Sequence, residues 1–175
     1  VKAGRVMYKQ LNIFDILGLE TFSYVSLFSG LGGFEQALNK LGGRCVMASE
    51  VDHHANRAYE IIYGEQTAGD VTKIKAESVP YHDVLAAGFP CPTFSVAGSK
   101  DGMEYKCLVC NHEHLITYQD YKQGPICPKC QGETEPKDYR GLLFFEIARI
   151  AESKQPKVLL LENVKGLINS ANGEV

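Results

Sequence analysis

The chain has 175 residues, of which 45% are apolar and 22% charged, enough for one hydrophobic core but not comfortably for two. No apolar run approaches the ~18 residues that cross a bilayer, and the amino end has no charged-then-apolar leader pattern, so a soluble, cytoplasmic protein without a membrane partner is expected. A formal charge of −3 lacks the basic surplus of a free-standing nucleic-acid-binding domain, so any grip on nucleic acid must be local or supplied elsewhere.

Residues 1–21 read as a lead-in, followed by a strand at about Tyr24 to Phe28. The strand runs into Phe28-Ser29-Gly30-Leu31-Gly32-Gly33-Phe34, a glycine-rich turn that opens a helix from about Gly33 to Leu41. Such glycines let backbone pass close to a ligand, although a tight structural turn is the plainer reading of the same residues. The dinucleotide fingerprint G-x-G-x-x-G needs a glycine where Glu35 stands. An acid entering that helix discourages pyrophosphate but tolerates a nucleoside without phosphates, and S-adenosylmethionine is such a ligand. A strand at Arg44 to Ser49 ends on Glu50, twenty residues after Gly30, where a carboxylate can accept hydrogen bonds from both ribose hydroxyls. Glu50 and Asp52 equally suit the capping of the next helix, from about His54 to Tyr63.

A strand at Val84 to Gly88 leads to Phe89-Pro90-Cys91-Pro92-Thr93-Phe94-Ser95. The two prolines fix φ and donate nothing to a ladder, so they hold the Cys91 thiol at the mouth of a cleft, as a nucleophile requires. Four of the six cysteines read Cys107-x2-Cys110-x16-Cys127-x2-Cys130, a spacing that presents four thiolates to one structural zinc ion in the manner of a zinc ribbon. Two disulfides or unlinked thiols are the alternative, and His112 and His114 are spare ligands. Cys45 sits in an apolar strand pattern and belongs to the core. A helix from about Leu142 to Ala151 and a strand at Val158 to Leu161 complete the series. That last strand delivers Glu162, whose pKa would rise in an apolar setting and suit it to proton donation; Glu162 and Asn163 can also cap a following helix. Strand and helix alternation implies an α/β fold, mostly parallel sheet with helices on both faces, with ligands at the carboxyl ends of the strands.

Six segments in order resemble the cytosine-5 DNA methyltransferases, from Tyr24 to Val175. Phe28-Ser29-Gly30-Leu31-Gly32-Gly33 is similar to the family's cofactor loop, Ser49-Glu50-Val51-Asp52 to its ribose segment and Gly69-Asp70-Val71 to its adenine turn. Pro90-Cys91 is similar to its catalytic Pro-Cys, Arg140-Gly141-Leu142-Leu143-Phe144 to the following helix start, and Glu162-Asn163-Val164 to its catalytic Glu-Asn-Val. The resemblance implies a Rossmann-like S-adenosylmethionine-dependent methyltransferase fold. It also implies methyl transfer to carbon 5 of cytosine in double-stranded DNA through a covalent Cys91 adduct, with Glu162 acting at ring nitrogen 3. By the same resemblance Glu50 holds the ribose, Asp70 meets the adenine amino group, and Phe28, Leu31, Val51 and Val71 pack near the cofactor, with Pro90 beside it.

Three departures from the family pattern stand out. Pro92 follows the cysteine where many members have glutamine. The cysteine-rich segment, residues 105–137, is an insertion in the loop after the nucleophile, splitting the catalytic domain into 22–104 and 138–175. Between Ser99 and Arg140 it carries six basic and seven acidic residues, so phosphate attraction alone is not its task. The third departure is that the family's later motifs and target-recognition half are missing. The chain is therefore expected to be part of a larger bacterial or phage-type enzyme, of restriction-modification kind, whose other half lies in the same parent chain or in a second subunit. Alone it is expected to methylate poorly or not at all. Two other readings remain open at this point, a tRNA cytosine-5 methyltransferase and a catalytically silent, zinc-stabilised binding module. A nicotinamide oxidoreductase is disfavoured by Glu35 and Cys91.

Overall fold

The structure is a computed structural model that describes residues 21–90 and 103–163. In chain order these form β1 (Phe22–Leu27), α1 (Gly33–Lys40), β2 (Gly43–Ser49), α2 (His53–Tyr63), β3 (Val84–Ala87), β4 (Glu104–Cys107), β5 (Glu113–Leu115), α3 (Tyr118–Gln123), β6 (Thr134–Pro136), α4 (Leu143–Lys154) and β7 (Val158–Leu161). Short 3₁₀ turns occupy Val71–Lys73, Ala76–Ser78 and Tyr139–Leu142. The expected strands and helices are all present, with ends that differ by at most three residues. The lead-in, residues 1–20, lies outside the described residues.

Four strands build a parallel sheet in the order β2-β1-β3-β7. The chain leaves β1 toward β2 and returns on the other side at β3, which puts a switch in direction at β1, where open α/β sheets form their clefts. β1 alternates between two cores, as a strand covered on both faces must. Phe22 and Tyr24 pack with Leu38 of α1 and Val84 and Ala86 of β3. Val25 and Leu27 pack on the other side with Val71, Val79 and Ile147 and Ile150 of α4. Helices therefore cover both faces, and β3, with all four residues buried, is the centre of the domain. β7 lies last in the order, and its Leu159, Leu160 and Leu161 are exposed.

Local chemistry sets the element ends. Asp52 caps α2, its Oδ1 accepting from the Ala55 N–H at 2.8 Å, and that bond holds its carboxyl below the usual range. Gly32, at φ 85°, cannot be replaced without strain, and a Cβ there would collide with the Tyr63 ring, whose hydroxyl donates to the Gly32 carbonyl at 2.8 Å.

Glu35, on the first turn of α1, is fully buried, and its Oε1 accepts from the Tyr59 hydroxyl at 3.1 Å. Burial raises its pKa above that of an ordinary glutamate, against the hydrogen bonds that lower it, so the folded state keeps a proton that the unfolded chain releases. The stability this proton contributes is present below the ordinary glutamate range and is lost as pH rises toward the raised value. The melting temperature is therefore expected to fall across that window. Glu35→Gln keeps an acceptor for Tyr59 but cannot ionise, and should flatten this part of the profile; an unchanged slope in thermal melts of the variant would refute the assignment.

Residues 103–138 contain a second, antiparallel sheet in the order β5-β4-β6. Strands of three and four residues make no stable sheet alone. This one leans on α4 through a shared apolar cluster of Tyr105, Ile116, Leu142 and Phe145.

Candidate active site

The parallel registers pair Leu27 with Ser49, Leu27 with Ala87, and Ala87 with Leu161, so the segments that leave all four strands emerge together. Between them is a cavity of about 210 Å³. Phe28, Glu50, Val51, Asp70, Val71 and Pro90, all expected near a nucleoside, line it. Gly30, Leu31, Gly32 and Gly33 do not; Leu31 is 58% exposed, and Gly30 acts on the cavity through Glu50 instead. Four further residues line it that were given no individual role, Ser49, Gly69, Gly88 and Leu143. Ser49, Gly69 and Leu143 belong to the recognised segments themselves, and Gly88 ends the strand expected before Pro90.

Glu50 does more structural work than expected. Its Oε2 accepts from the Gly30 N–H at 2.9 Å, and its Oε1 from the N–H groups of Val51 and Asp52 at 2.8 Å each. The carboxylate thus ties the glycine turn to the exit of β2, and its one remaining lone-pair site, on Oε2, is left to accept from an incoming hydroxyl. Asp70 caps the turn that follows it. The Thr72 hydroxyl and N–H, at 2.8 and 3.0 Å, hold its carboxyl below the usual range, which keeps it an acceptor suited to an amino group. Ser49 Oγ donates to the Gly69 carbonyl at 2.7 Å and locks the two turns together.

At the other side of the cleft, β3 and β7 exit side by side. The Glu162 N–H donates to the Ala87 carbonyl at 3.0 Å, and Asn163 Nδ2 to the Phe89 carbonyl at 3.3 Å. A Cβ on Gly88 would lie 3.4 Å from Glu162 Oε2, so the carboxylate reaches over Gly88, two residues before Pro90. Among the described residues Glu162 is exposed, at the exit of β7, the last strand of their sheet. Cys91 and Val164 lie outside the described residues.

Cys107, Cys110, Cys127 and Cys130 converge, with all four Sγ atoms within 4.8 Å of one another. Cys107 and Cys130 sulfurs are 3.5 Å apart, and those of Cys110 and Cys127 are 3.7 Å apart. A tetrahedron of Zn–S bonds about 2.3 Å long has edges of about 3.8 Å, so the set fits zinc. None of the described cysteines is joined in a disulfide. The two knuckles also share one backbone pattern. The N–H groups of Cys107 and Cys127 donate to the carbonyls of His112 and Gly132. Those of Asn111 and Gln131, both at positive φ, donate back to the carbonyls of Cys107 and Cys127. N–H groups of Cys110 and Val109 point at Cys107 Sγ, each at 3.4 Å, and pull its thiol down to about 6. His112 and His114 stand outside the thiol cluster.

A parallel sheet with helices on both faces and a nucleoside-sized cleft at its strand exits defines the fold of the S-adenosylmethionine-dependent methyltransferases. A solved prophage-encoded protein of E. coli, described as a DNA modification methyltransferase, shares this fold with a TM-score of 0.56 at 22% identity, over 87% of this chain and 34% of that one. Residues 22–108 and 131–175 match the family C-5 cytosine-specific DNA methylase, and the chain belongs to it. The orphan methyltransferase M.SPBetaI of Bacillus phage SPbeta is 55% identical over 156 residues, covering 86% of this chain and 35% of that protein. The type II methyltransferase M.HhaI of Haemophilus parahaemolyticus is 37% identical over 150 residues, covering 86% of this chain and 36% of that protein. The chain thus spans about a third of the length of these curated relatives. Among the described residues no helix is long and apolar enough to cross a membrane.

Proposed function

We propose that this chain forms the cofactor-binding and base-attacking part of a DNA cytosine-5 methyltransferase, with Cys91 as nucleophile and Glu162 as its partner at the base. The observation that carries the reading is the convergence of six expected nucleoside-binding residues on one cavity whose far wall leads through Pro90 to Cys91. About 210 Å³ is less than the ~300 Å³ of whole small-molecule pockets and suits the adenosine end of a larger ligand. Glu50 would hold the ribose hydroxyls, Asp70 the adenine amino group, and Phe28, Val51 and Val71 the ring faces, with Leu31, Gly32 and Gly33 shaping the turn above them. S-adenosylmethionine bound there supplies an electrophilic methyl group.

Cytosine carbon 5 is a poor nucleophile, so the Cys91 thiolate first adds to ring carbon 6 and pushes electrons toward carbon 5. Glu162 meets ring nitrogen 3 and steadies the charge that builds up there. After carbon 5 has taken the methyl group, a base removes its proton and Cys91 leaves as thiolate. The base must leave the duplex to reach this cleft. The four cysteines, Cys107, Cys110, Cys127 and Cys130, would hold Zn2+ as a structural crosslink of the ribbon at 105–137. The family match skips residues 109–130, which supports reading that ribbon as an insertion. The exposed leucines of β7 support a further part of the enzyme covering this edge, the target-recognition half among the candidates.

The reading is tested by following labelled methyl groups from S-adenosylmethionine into nucleic acid with the protein of full natural length. Transfer to duplex DNA, with none to tRNA, is expected. Transfer to tRNA alone would replace the substrate, and transfer to neither would leave a binding module.

A further inference from the structure

Glu146 sits on the first turn of α4 and is only 4% exposed, between the buried side chains of Phe145 and Ile147. A carboxyl group so placed is costly unless its oxygens are bonded. Two separate parts of the protein bond them. Oε1 accepts from the Tyr121 hydroxyl, on α3 of the ribbon, at 2.6 Å. Oε2 accepts from Arg149, through Nε at 3.0 Å and Nη2 at 2.5 Å. The same Nη2 also donates to the Val71 carbonyl at 3.2 Å. Val71 belongs to the turn whose Gly69, Asp70 and Val71 wall the nucleoside cavity. A continuous polar path therefore runs from a ribbon hydroxyl, through a buried carboxylate and a guanidinium, to the backbone of the turn that presents Asp70.

We propose that Tyr121 is a positioning residue for adenosine recognition: through Glu146 and Arg149 the ribbon fixes the Asp70–Val71 turn of the cofactor cavity. The inference rests on reading that cavity as the adenosyl site. Its physical basis is the division of the carboxylate between two donors. Without the Tyr121 hydroxyl, Oε1 loses its donor inside the protein, and the guanidinium is drawn wholly onto Glu146 and away from the Val71 carbonyl. Burial, with the bond to Glu146, raises the phenol's pKa, so it remains a donor throughout the working pH range. Tyr118, one turn earlier on α3, provides an internal comparison. Its ring also packs on Phe145, but its hydroxyl donates at 2.8 Å to Glu152, an exposed acid outside the path.

The test is calorimetric titration of the zinc-loaded protein of full natural length with S-adenosylhomocysteine and with its inosine analogue, which lacks the amino group that Asp70 would accept from. In Tyr121→Phe the Kd for S-adenosylhomocysteine is expected to rise about fivefold, and the preference over the inosine analogue to shrink by a similar factor. Tyr118→Phe should leave both unchanged. Arg149→Met, which donates to neither Glu146 nor Val71, should reproduce Tyr121→Phe and covers the case in which that variant folds poorly. Unchanged affinity in Tyr121→Phe, or weaker binding with the preference intact, overturns the positioning role. Failure of the unaltered protein to bind S-adenosylhomocysteine overturns the adenosyl site itself and the coupling with it.

Discussion

Cys91→Ala is expected to lower methyl transfer to duplex DNA by about 10⁴-fold or more, with S-adenosylhomocysteine binding unchanged. Carbon 5 of cytosine does not take a methyl group until a nucleophile has added across the ring, so loss of the thiol removes the reaction's first step. Cys91→Ser should be almost as damaging, because a hydroxyl is far less acidic than a thiol and remains protonated. Apart from Pro90, the cofactor residues are on other segments, the exits of β1 and β2 and the turn at Asp70, and owe nothing to the thiol. Residual transfer above about 1% in the alanine variant would show that another group makes the attack.

Removal of zinc is expected to melt the ribbon. The ribbon buries few residues, Tyr105, Cys107, Ile116 and Cys127, and two of these are the cysteines themselves, fully buried. Metal binding in such small units supplies about 10–16 kcal/mol, most of what holds them folded. One zinc per chain should be released when the four thiols are titrated with a mercurial, and Cys107→Ser should lower zinc content to well under one. The parallel sheet should survive, because its two cores at β1 and β3 are built without ribbon residues. Loss of the helical signal of α1 and α2 along with the metal would contradict this separation. A chain that carries no zinc while keeping its ribbon folded would refute the metal assignment.

The parts of the fold that follow period rules were legible in the residues. β7 was placed without error, and α1 and α2 to within a residue, because their apolar spacing is clean and Asp52 and Gly64 mark the ends of α2. β1 starts two residues earlier than expected because Phe22 packs against Leu38 and pairs with Gly43, facts of tertiary structure rather than of pattern. The 3₁₀ turn after Asp70 was invisible, since three residues carry no periodicity. α3 was missed although its signal was present: Thr117 and Asp120 form a reciprocal cap, the Ser/Thr-x-x-acid arrangement that opens helices. Within the site, the ribose role of Glu50 was legible from its place at the end of β2 and the role of Asp70 only from a family resemblance, whereas the three backbone N–H groups that Glu50 accepts from came only from geometry. The path from Tyr121 to Val71 joins residues far apart in the chain, and no local pattern announces it.

The central claim is that this part of the protein attacks cytosine through Cys91. Its most direct test is incubation of the protein, with S-adenosylmethionine, on duplex DNA containing 5-fluorocytosine, where fluorine replaces the proton that must leave and strands the adduct. A denaturant-resistant protein–DNA species whose crosslinked peptide contains Cys91 is the predicted result. A protein of full natural length that binds both cofactor and duplex, yet forms no adduct or forms one at another residue, would contradict the claim.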